Sequence, residues 1–545
     1  MFLRLFLFLL VITSSFSSRL LAESRRPNVI YIMADDMGYG DAKPFGQQRC
    51  LVETPGISQL AREGMRFTDA HTIACVCIPS RVAIMTGRYP WRIRGERQSG
   101  PWGFVTPRVP TGHFTLGKML QQAGYSTGYV GKWHLGTTMQ TTDSQTQGLE
   151  NVDYQLPLTV GPRDYGFDYS FILPGSLDMF PYVFVRNHEF VGHVTKQRGW
   201  SAFNRIGPTE ENFEDYLVLD TFSSEVESFI ANNANAAKQG KPFFLYFALT
   251  APHTPISPHP DFQGTTPLGN YGDFLQDTDH CVIRTLAALK QHGLDENTIV
   301  IFTSDHGPGA YAGNRKQATF NNIKMLEQQG HFPSGIYRGY KFSIYEGGFR
   351  VPFVIKWPGI VKPGSTCNRL VGLNDLMATL AEITGTSLTD NQAVDSISYL
   401  PLLKNPHSQG IRKNLMMAST HGYALRTEKW KLALCPGSGS PGKYGNTPAA
   451  SFAWHLAIDQ FGRNPTPEEL SQPAFVQLFD MVHDEREQHN IAKKHPTRIQ
   501  NMVLQMQNQF ATGRSTPGPQ QPNDFQQINF WARIPSWVLQ KETPP

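Results

Sequence analysis

Short runs of β-branched and aromatic residues recur along this chain, each followed by a polar residue and a Gly or Pro break. Asn28–Met33 (NVIYIM) leads to Asp35 and Asp36. Tyr125–Val130 leads through Gly131 to Lys132 and His134, and Pro242–Leu249 (PFFLYFAL) leads to His253. Thr298–Thr303 (TIVIFT) leads to Asp305 and His306, while Val351–Lys356 ends at Trp357-Pro358-Gly359. Runs of this length with such ends read as buried strands. Between them, Thr115–Ala123, Phe213–Ala236 and Asp273–His292 carry helical patterns. The alternation predicts an α/β fold, a large and mainly parallel central sheet flanked by helices. In such sheets ligands bind beyond the carboxyl ends of the strands. Four of the runs deliver charged or imidazole groups there, so one active site assembled from distant segments is expected.

The texture changes after Leu403. Asn405-Pro406-His407-Ser408 reads as a linker, and Tyr423–Arg426 with Trp430–Leu434 reads as a hairpin. Helical material follows near Pro496–Phe510, then a Pro-rich tail. The expected division is an α/β domain over 23–409 and a smaller α+β subdomain over 410–545.

Residues 1–22 stand apart. Arg4, the apolar run Leu5–Ile12 and the exit Leu20-Leu21-Ala22 read as a secretory signal peptide, with cleavage after Ala22. The run is too short to span a bilayer. The expectation is an exported protein, periplasmic or secreted, without stable membrane insertion.

The 545 residues include 49 Lys+Arg against 45 Asp+Glu, which excludes a strongly basic nucleic-acid binder. A local anion pocket is still compatible with that balance. Hydrophobic residues at 40% supply a sizeable core. The six cysteines (Cys50, Cys75, Cys77, Cys281, Cys367 and Cys435) are too few for a disulfide scaffold and lack the paired spacing of structural zinc. Asn464-Pro465-Thr466 is disqualified as a glycosylation site by its proline.

The sharpest local string is Cys77-Ile78-Pro79-Ser80-Arg81, continuing to Thr86-Gly87-Arg88. Pro79 suits the first turn of a helix, which places Cys77 just before a helix N-terminus, where backbone N–H groups favour an anion. Asp35, Asp36 and Asp305 are hard oxygen donors at two strand ends, suited to Ca²⁺ or Mg²⁺. His306 beside them could bind the metal, bind substrate or simply pack.

The Cys77–Arg88 string resembles the C-x-P-S-R-x-x-x-x-T-G-R signature of the type I, arylsulfatase-like sulfatases. The resemblance extends over Arg26–Asp41, Gly124–Gly136, Ala251–Pro255, Thr303–Gly307 and Gly339–Pro352, and to Leu478–Glu487 near the C-terminus. It implies an alkaline-phosphatase-like architecture and a sulfuric ester hydrolase. It further implies that a maturation enzyme oxidises Cys77 to formylglycine, whose hydrate supplies the nucleophilic oxygen. By the same resemblance one Ca²⁺ is held by Asp35, Asp36, Asp305, His306 and the matured side chain of Cys77. His306 stands where many relatives carry Asn. Arg81, Lys132 and His134 surround the nucleophile, and His253 and Lys341 hold the sulfate and protonate the leaving oxygen. Ser176 matches a sulfate-contacting serine, and Arg350 reads as structural support.

The expected substrate is a sulfated carbohydrate, with aryl sulfates also cleaved. Tyr89, Trp91, Arg92, Arg94 and Trp102 follow the nucleophile string and could stack on and pair with an anionic glycan. Two other functions share these residues: a phosphomonoester or phosphonate hydrolase of the same architecture, and a non-catalytic glycan binder in which Cys77 stays a thiol.

Overall fold

The computed structural model describes residues 26–95, 100–199, 204–312, 322–420, 422–439, 474–524 and 535–539. The proposed signal peptide and the Asn464-Pro465-Thr466 string lie outside them.

The principal strands of the large sheet, in chain order, are β1 (Asn28–Asp35), β2 (Met65–Phe67), β3 (Ser126–Lys132), β4 (Tyr169–Leu173), β5 (Phe243–Pro252), β6 (Thr298–Ser304), β7 (Phe353–Lys356) and β8 (Ser365–Cys367). They lie in the order β8-β2-β7-β6-β1-β5-β3-β4, and two short strands at Val185–Arg186 and Glu189–Phe190 complete a ten-stranded sheet. The centre is parallel: β1 pairs with β5 and β6, and β3 pairs with β5 and β4. Every residue of β1, β5 and β6 is buried. That is why they read as continuous apolar runs and not as alternating ones. The sheet is mixed towards both sides: β7 runs antiparallel to β6 and β2, and the short strand Val185–Arg186 runs antiparallel to β4. The run ending at Trp357 therefore leads away from the site end of the sheet.

The helices that matter here are α1 (Pro55–Glu63), α2 (Cys77–Thr86), α3 (Leu116–Gln122), α4 (Val218–Lys238), α5 (Asn270–Gln291) and α6 (Pro496–Thr512). Thr115 caps α3 by accepting the Lys118 N–H. Helix α2 starts at Cys77 itself, one position earlier than the proline alone indicated, with Pro79 inside its first turn. It stops at Gly87, whose left-handed backbone (φ 62°) closes the last turn on the Ala83 carbonyl.

A second, four-stranded antiparallel sheet is formed by β9 (Leu415–Ser419), β10 (Gly422–Arg426), β11 (Trp430–Leu434) and β12 (Val476–Asp480), with α6 packed nearby. Its core is shared with the α/β layer: Ile73, Cys75, Ala83, Tyr89 and Trp91 pack with Leu415, Leu432, Phe479 and Phe510. Among the described residues no helix is long and apolar enough to cross a membrane. All six cysteines are buried and free.

Candidate active site

Strand β1 ends at Asp35, and Asp36 then takes a left-handed backbone (φ 63°). In an extended strand successive side chains point to opposite faces. The turn breaks that alternation and lets both carboxylates serve one site. Next to them, β6 ends at Ser304 and the chain carries Asp305 and His306 into the same place. The Asp36 N–H donates to Asp305 Oδ1 at 3.2 Å, which ties the two strand ends together. Strand β3 brings Lys132 from the other side through Gly131, where a Cβ would lie 1.7 Å from the Ala248 carbonyl oxygen of β5. Only glycine fits there.

These segments converge on Cys77, whose sulfur stands where the resemblance places an oxidised side chain. Around Sγ lie His306 Nε2 at 3.2 Å, Lys341 Nζ at 3.4 Å and Asp35 Oδ1 at 3.6 Å. Lys132 Nζ is 2.5 Å from Asp35 Oδ2, and Lys341 Nζ is 2.8 Å from Asp36 Oδ1. Arg81, one turn along α2, sets Nη2 3.1 Å from Asp305 Oδ2 and 3.6 Å from Asp35 Oδ1. Its Nη1 donates to the Lys132 carbonyl at 3.0 Å. Ser80 Oγ donates to the Asp305 carbonyl at 2.6 Å, so the first turn of α2 is latched to the end of β6.

Charge compensation sets the protonation states. Burial pushes the Asp35 carboxyl up, but Lys132, His253, Arg81 and Lys341 outweigh it and hold the group well below the ordinary carboxylate range. Asp36 is likewise lowered against its burial, chiefly by Lys341. Burial alone would depress the two lysines, yet Asp35 raises Lys132 and Asp36 raises Lys341, so both stay charged. Burial pushes the Cys77 thiol far up, leaving no thiolate nucleophile. His306 is lowered by burial. Burial, then Lys132 and Arg81, hold His134 well below the usual imidazole range. His134 is therefore a neutral base.

His253 lies on the other side of Asp36, with Nε2 3.7 Å from Asp36 Oδ2 and Nδ1 3.9 Å from Asp178 Oδ1. Ser176 is on the Pro174–Asp178 loop, which meets the site at both ends: the Pro174 carbonyl accepts the His134 N–H at 3.1 Å, and Asp178 faces His253. The side chain of Ser176 is buried, and Ser176 Oγ, Asp178 Oδ1 and His134 Nδ1 have no hydrogen-bond partner within the protein. Buried orphan atoms beside a site are places for a ligand to bond.

The donor set suits a hard divalent cation. One ligand atom each from Asp35, Asp36, Cys77 and His306 lies within 4.8 Å of the others, and Asp305 Oδ1 is 3.6 Å from His306 Nε2. His306 Nδ1 donates to the Gly307 carbonyl at 2.9 Å, which leaves Nε2 unprotonated and aimed at this group. A second cluster, Asp69, His71 and Glu346, is already neutralised by Arg350, Arg426 and Lys431. There Arg350 braces the segment that carries Lys341, with Nη2 2.7 Å from Glu346.

The sulfatase family profile matches residues 27–386. The chain belongs to the sulfatase family. Among its relatives is the N-acetylgalactosamine-6-O-sulfatase of Bacteroides thetaiotaomicron, 31% identical and covering 88% of this chain and 92% of its own. Another is an arylsulfatase of Hemicentrotus pulcherrimus, 33% identical, covering 74% of this chain and 67% of its own. A solved structure from work on glycosaminoglycan metabolism in Bacteroides thetaiotaomicron superposes with a TM-score of 0.73 at 30% identity. It covers 89% of this chain and 99% of its own. The sulfatase is thus a sulfuric ester hydrolase on the architecture expected for that family.

One expectation is overturned. Tyr89, Trp91 and Arg92 do not line a glycan cleft. Tyr89 and Trp91 stack at 4.7 Å, and Trp91 meets Tyr423 edge-on at 5.1 Å, so the pair packs against the second sheet. Arg92 is buried in an ion pair with Asp395 at 2.8 Å. The main chain of Arg94 donates to Asp524. Trp102 alone of the five is an exposed ring, at 42%. Sequence reading also passed over Tyr311, whose hydroxyl donates to Asp36 Oδ2 at 2.8 Å, and Asp178. Asp178 closes the Leu173–Asp178 string that carries Ser176 but was given no role, and Tyr311, a lone tyrosine in a Gly/Ala loop outside every motif, gives no signal of its own.

Proposed function

We propose that this sulfatase is an exported, calcium-dependent enzyme that hydrolyses a sulfate ester of a carbohydrate, with residue 77 matured to formylglycine. The observation that carries the reading is the convergence on Cys77 of an unprotonated imidazole nitrogen, two carboxylate strand ends and two buried ammonium groups. Asp35, Asp36, Asp305 and His306 would hold the calcium. Bound there, it supplies positive charge that polarises the sulfate oxygens. Formylglycine supplies, as its hydrate, an oxygen nucleophile that the protonated thiol does not offer.

The chain's own groups divide the remaining work. Lys132 and Lys341 neutralise the sulfate oxygens as charge builds on them. Arg81 keeps Asp35 and Asp305 in place. His134, a neutral imidazole, takes up a proton at the nucleophile, and His253 gives one to the departing sugar oxygen. Ser176 Oγ offers a hydrogen bond to the bound ester. A carbohydrate substrate is supported by the galactosamine sulfatase among the relatives. It is also supported by Trp102, which carries Arg205 over its ring at 3.5 Å, with Arg205 anchored 2.7 Å from Asp178 Oδ2. An aromatic face with an adjacent guanidinium suits a sugar ring bearing an anionic group.

The test is mass spectrometry of the tryptic peptide Phe67–Arg81 from protein made in its own host. An aldehyde in place of the thiol is the expected result. An intact thiol, in a host that matures other sulfatases, would sink the catalytic reading and favour a glycan-binding scaffold.

A further inference from the structure

Arg88 comes directly after Gly87, the residue that ends α2, and is half-buried. Its Nε is buried without a hydrogen-bond partner. Among the described residues the one hydrogen bond Arg88 makes is from its main-chain N–H to Thr86 Oγ1 at 3.3 Å. Two carboxylates act on the guanidinium through space, Asp395 and Asp524, and both are engaged elsewhere. Asp395 accepts the Arg92 guanidinium at 2.8 and 3.1 Å and the Tyr89 N–H at 2.7 Å. Asp524 Oδ2 accepts the Arg94 N–H at 2.9 Å and lies 3.5 Å from His113 Nε2. Neither outweighs the burial of Arg88, which lowers its proton affinity. A guanidinium stays charged all the same, so a cation partly withdrawn from water is left without an acceptor.

Arg88 lines a cavity of about 560 Å³ together with Phe114, Lys118, Gln392 and Asp524. The polar atoms to spare there are mostly donors. Lys118 Nζ donates to the carbonyls of Thr111 and His113, and an ammonium has a third N–H. Gln392 Oε1 takes the Thr389 N–H at 3.0 Å, which leaves the amide NH₂ to give. Two fixed cations thus face one carboxylate. The ten residues of α2 separate this cavity from Cys77, a distance of about 15 Å along the helix. We propose that the cavity is a second binding site, apart from the catalytic one, for a saccharide unit bearing an oxyanion that Arg88 holds. The volume is in the range of sites for small organic ligands and exceeds what a bare sulfate fills. The half-buried Phe114 ring offers an apolar face to the C–H groups of a sugar. The saccharide body rests on the carbohydrate reading of the substrate, whereas the anion site stands on Arg88 alone.

The experiment is titration calorimetry of the calcium-loaded wild type and of Arg88→Met. The probe is sulfoquinovose, a sugar whose sulfonate is joined through carbon and is therefore not a sulfate ester. Sodium sulfate and glucose are titrated in parallel. The expected result is a binding event in the wild type that Arg88→Met lacks or shows weakened by about tenfold or more. Sodium sulfate and glucose should each bind there at least about tenfold more weakly than the probe. Identical isotherms for the two proteins overturn the proposal, and so does a wild type that takes up no probe. Sodium sulfate binding as tightly as sulfoquinovose overturns the saccharide assignment and makes this a site for the free ion. Urea unfolding guards against a structural role. Methionine keeps an unbranched apolar stem without the charge, so Arg88→Met should be at least as stable as the wild type. A variant that is clearly less stable, or does not fold, makes Arg88 a structural cation and overturns the proposal. None of these readouts involves turnover, so they stand apart from the maturation of residue 77.

Discussion

Arg81 sets two nitrogens on a single oxygen of Asp305: Nη2 at 3.1 Å and Nε at 3.3 Å from Oδ2. The other oxygen, Oδ1, is left to accept the Asp36 N–H and to face His306. One carboxylate thus serves the helix that carries Cys77 with one oxygen and the candidate metal group with the other. Both partners are buried, so the pair holds the site together at the cost of desolvating two charges.

Removing Arg81 leaves Asp305 and Asp35 without that cation. Arg81→Ala is expected to destabilise the protein by about 3–5 kcal/mol in urea unfolding. Arg81→Lys keeps the charge but cannot also reach the Lys132 carbonyl, because one ammonium does not reproduce the planar fork. It should fold and lose at least about tenfold in kcat/KM. A lysine variant with full activity would show that charge alone, and not geometry, is what the site needs.

Divalent metal is expected to be required. Asp35, Asp36 and Asp305 are balanced by Arg81, Lys132 and Lys341, so the charged groups of the site sum to about zero. A dication makes it attractive to a sulfate ester. Treatment with a chelator should abolish turnover, and calcium should restore it. Calcium at about a hundred times its Kd should raise stability by about 3 kcal/mol. His306→Asn keeps a donor and should retain calcium binding, whereas His306→Ala should weaken it. Undiminished turnover after exhaustive chelation is the outcome that contradicts this.

How much of this was legible in the sequence depends on the length scale of each signal. The strand ends were visible because buried parallel strands are continuous apolar runs, and the residue just past each run is where a sheet of this kind places chemistry. Hence Asp35, Asp36, Lys132, His253, Asp305 and His306 could be named before their contacts were known. Tyr311 and Asp178 could not, since their meaning lies in partners such as Lys341 and Arg205 that only the fold brings near. Trp91 and Arg92 were misread for a related reason. An aromatic next to a basic residue suits a sugar rim and a subdomain interface equally, and the deciding neighbours, Tyr423 and Asp395, are hundreds of positions away.

Asp279 on α5 provides a pH test of the scaffold. Its two carboxylate oxygens accept the N–H groups of Gly56 and Ile57 at 2.7 and 2.8 Å, in the first turn of α1. Burial outweighs those bonds and pushes the carboxyl up to about 6. A raised folded value means that the neutral acid is the favoured form. Its contribution to stability is complete below the unfolded value of about 4 and is lost as pH rises through about 6. Asp279→Asn has no such titration. Between pH 4 and pH 7 the unfolding free energy of the wild type should therefore fall by about 3 kcal/mol relative to the variant. Parallel pH profiles for the two proteins would mean that Asp279 is charged throughout.

Trp91 and Trp102 separate packing from substrate contact. Trp91 is 8% exposed, stacks on Tyr89 and meets Tyr423 and Phe510 from the second sheet and α6. Truncating it opens a cavity at that interface, so Trp91→Ala should cost about 3–5 kcal/mol of stability. The folded fraction should still cleave 4-nitrophenyl sulfate and a sulfated oligosaccharide in the wild-type ratio. Trp102 is 42% exposed and touches the site through Arg205 and Asp178. Trp102→Ala should leave stability within about 1 kcal/mol of the wild type, since it empties no core. Its effect should appear in KM for the oligosaccharide, raised by about tenfold, with the aryl sulfate little changed. The two ratios decide the matter together. Loss of oligosaccharide preference in Trp91→Ala would return that ring to the substrate cleft, and its retention in Trp102→Ala would remove the aromatic support for a carbohydrate substrate.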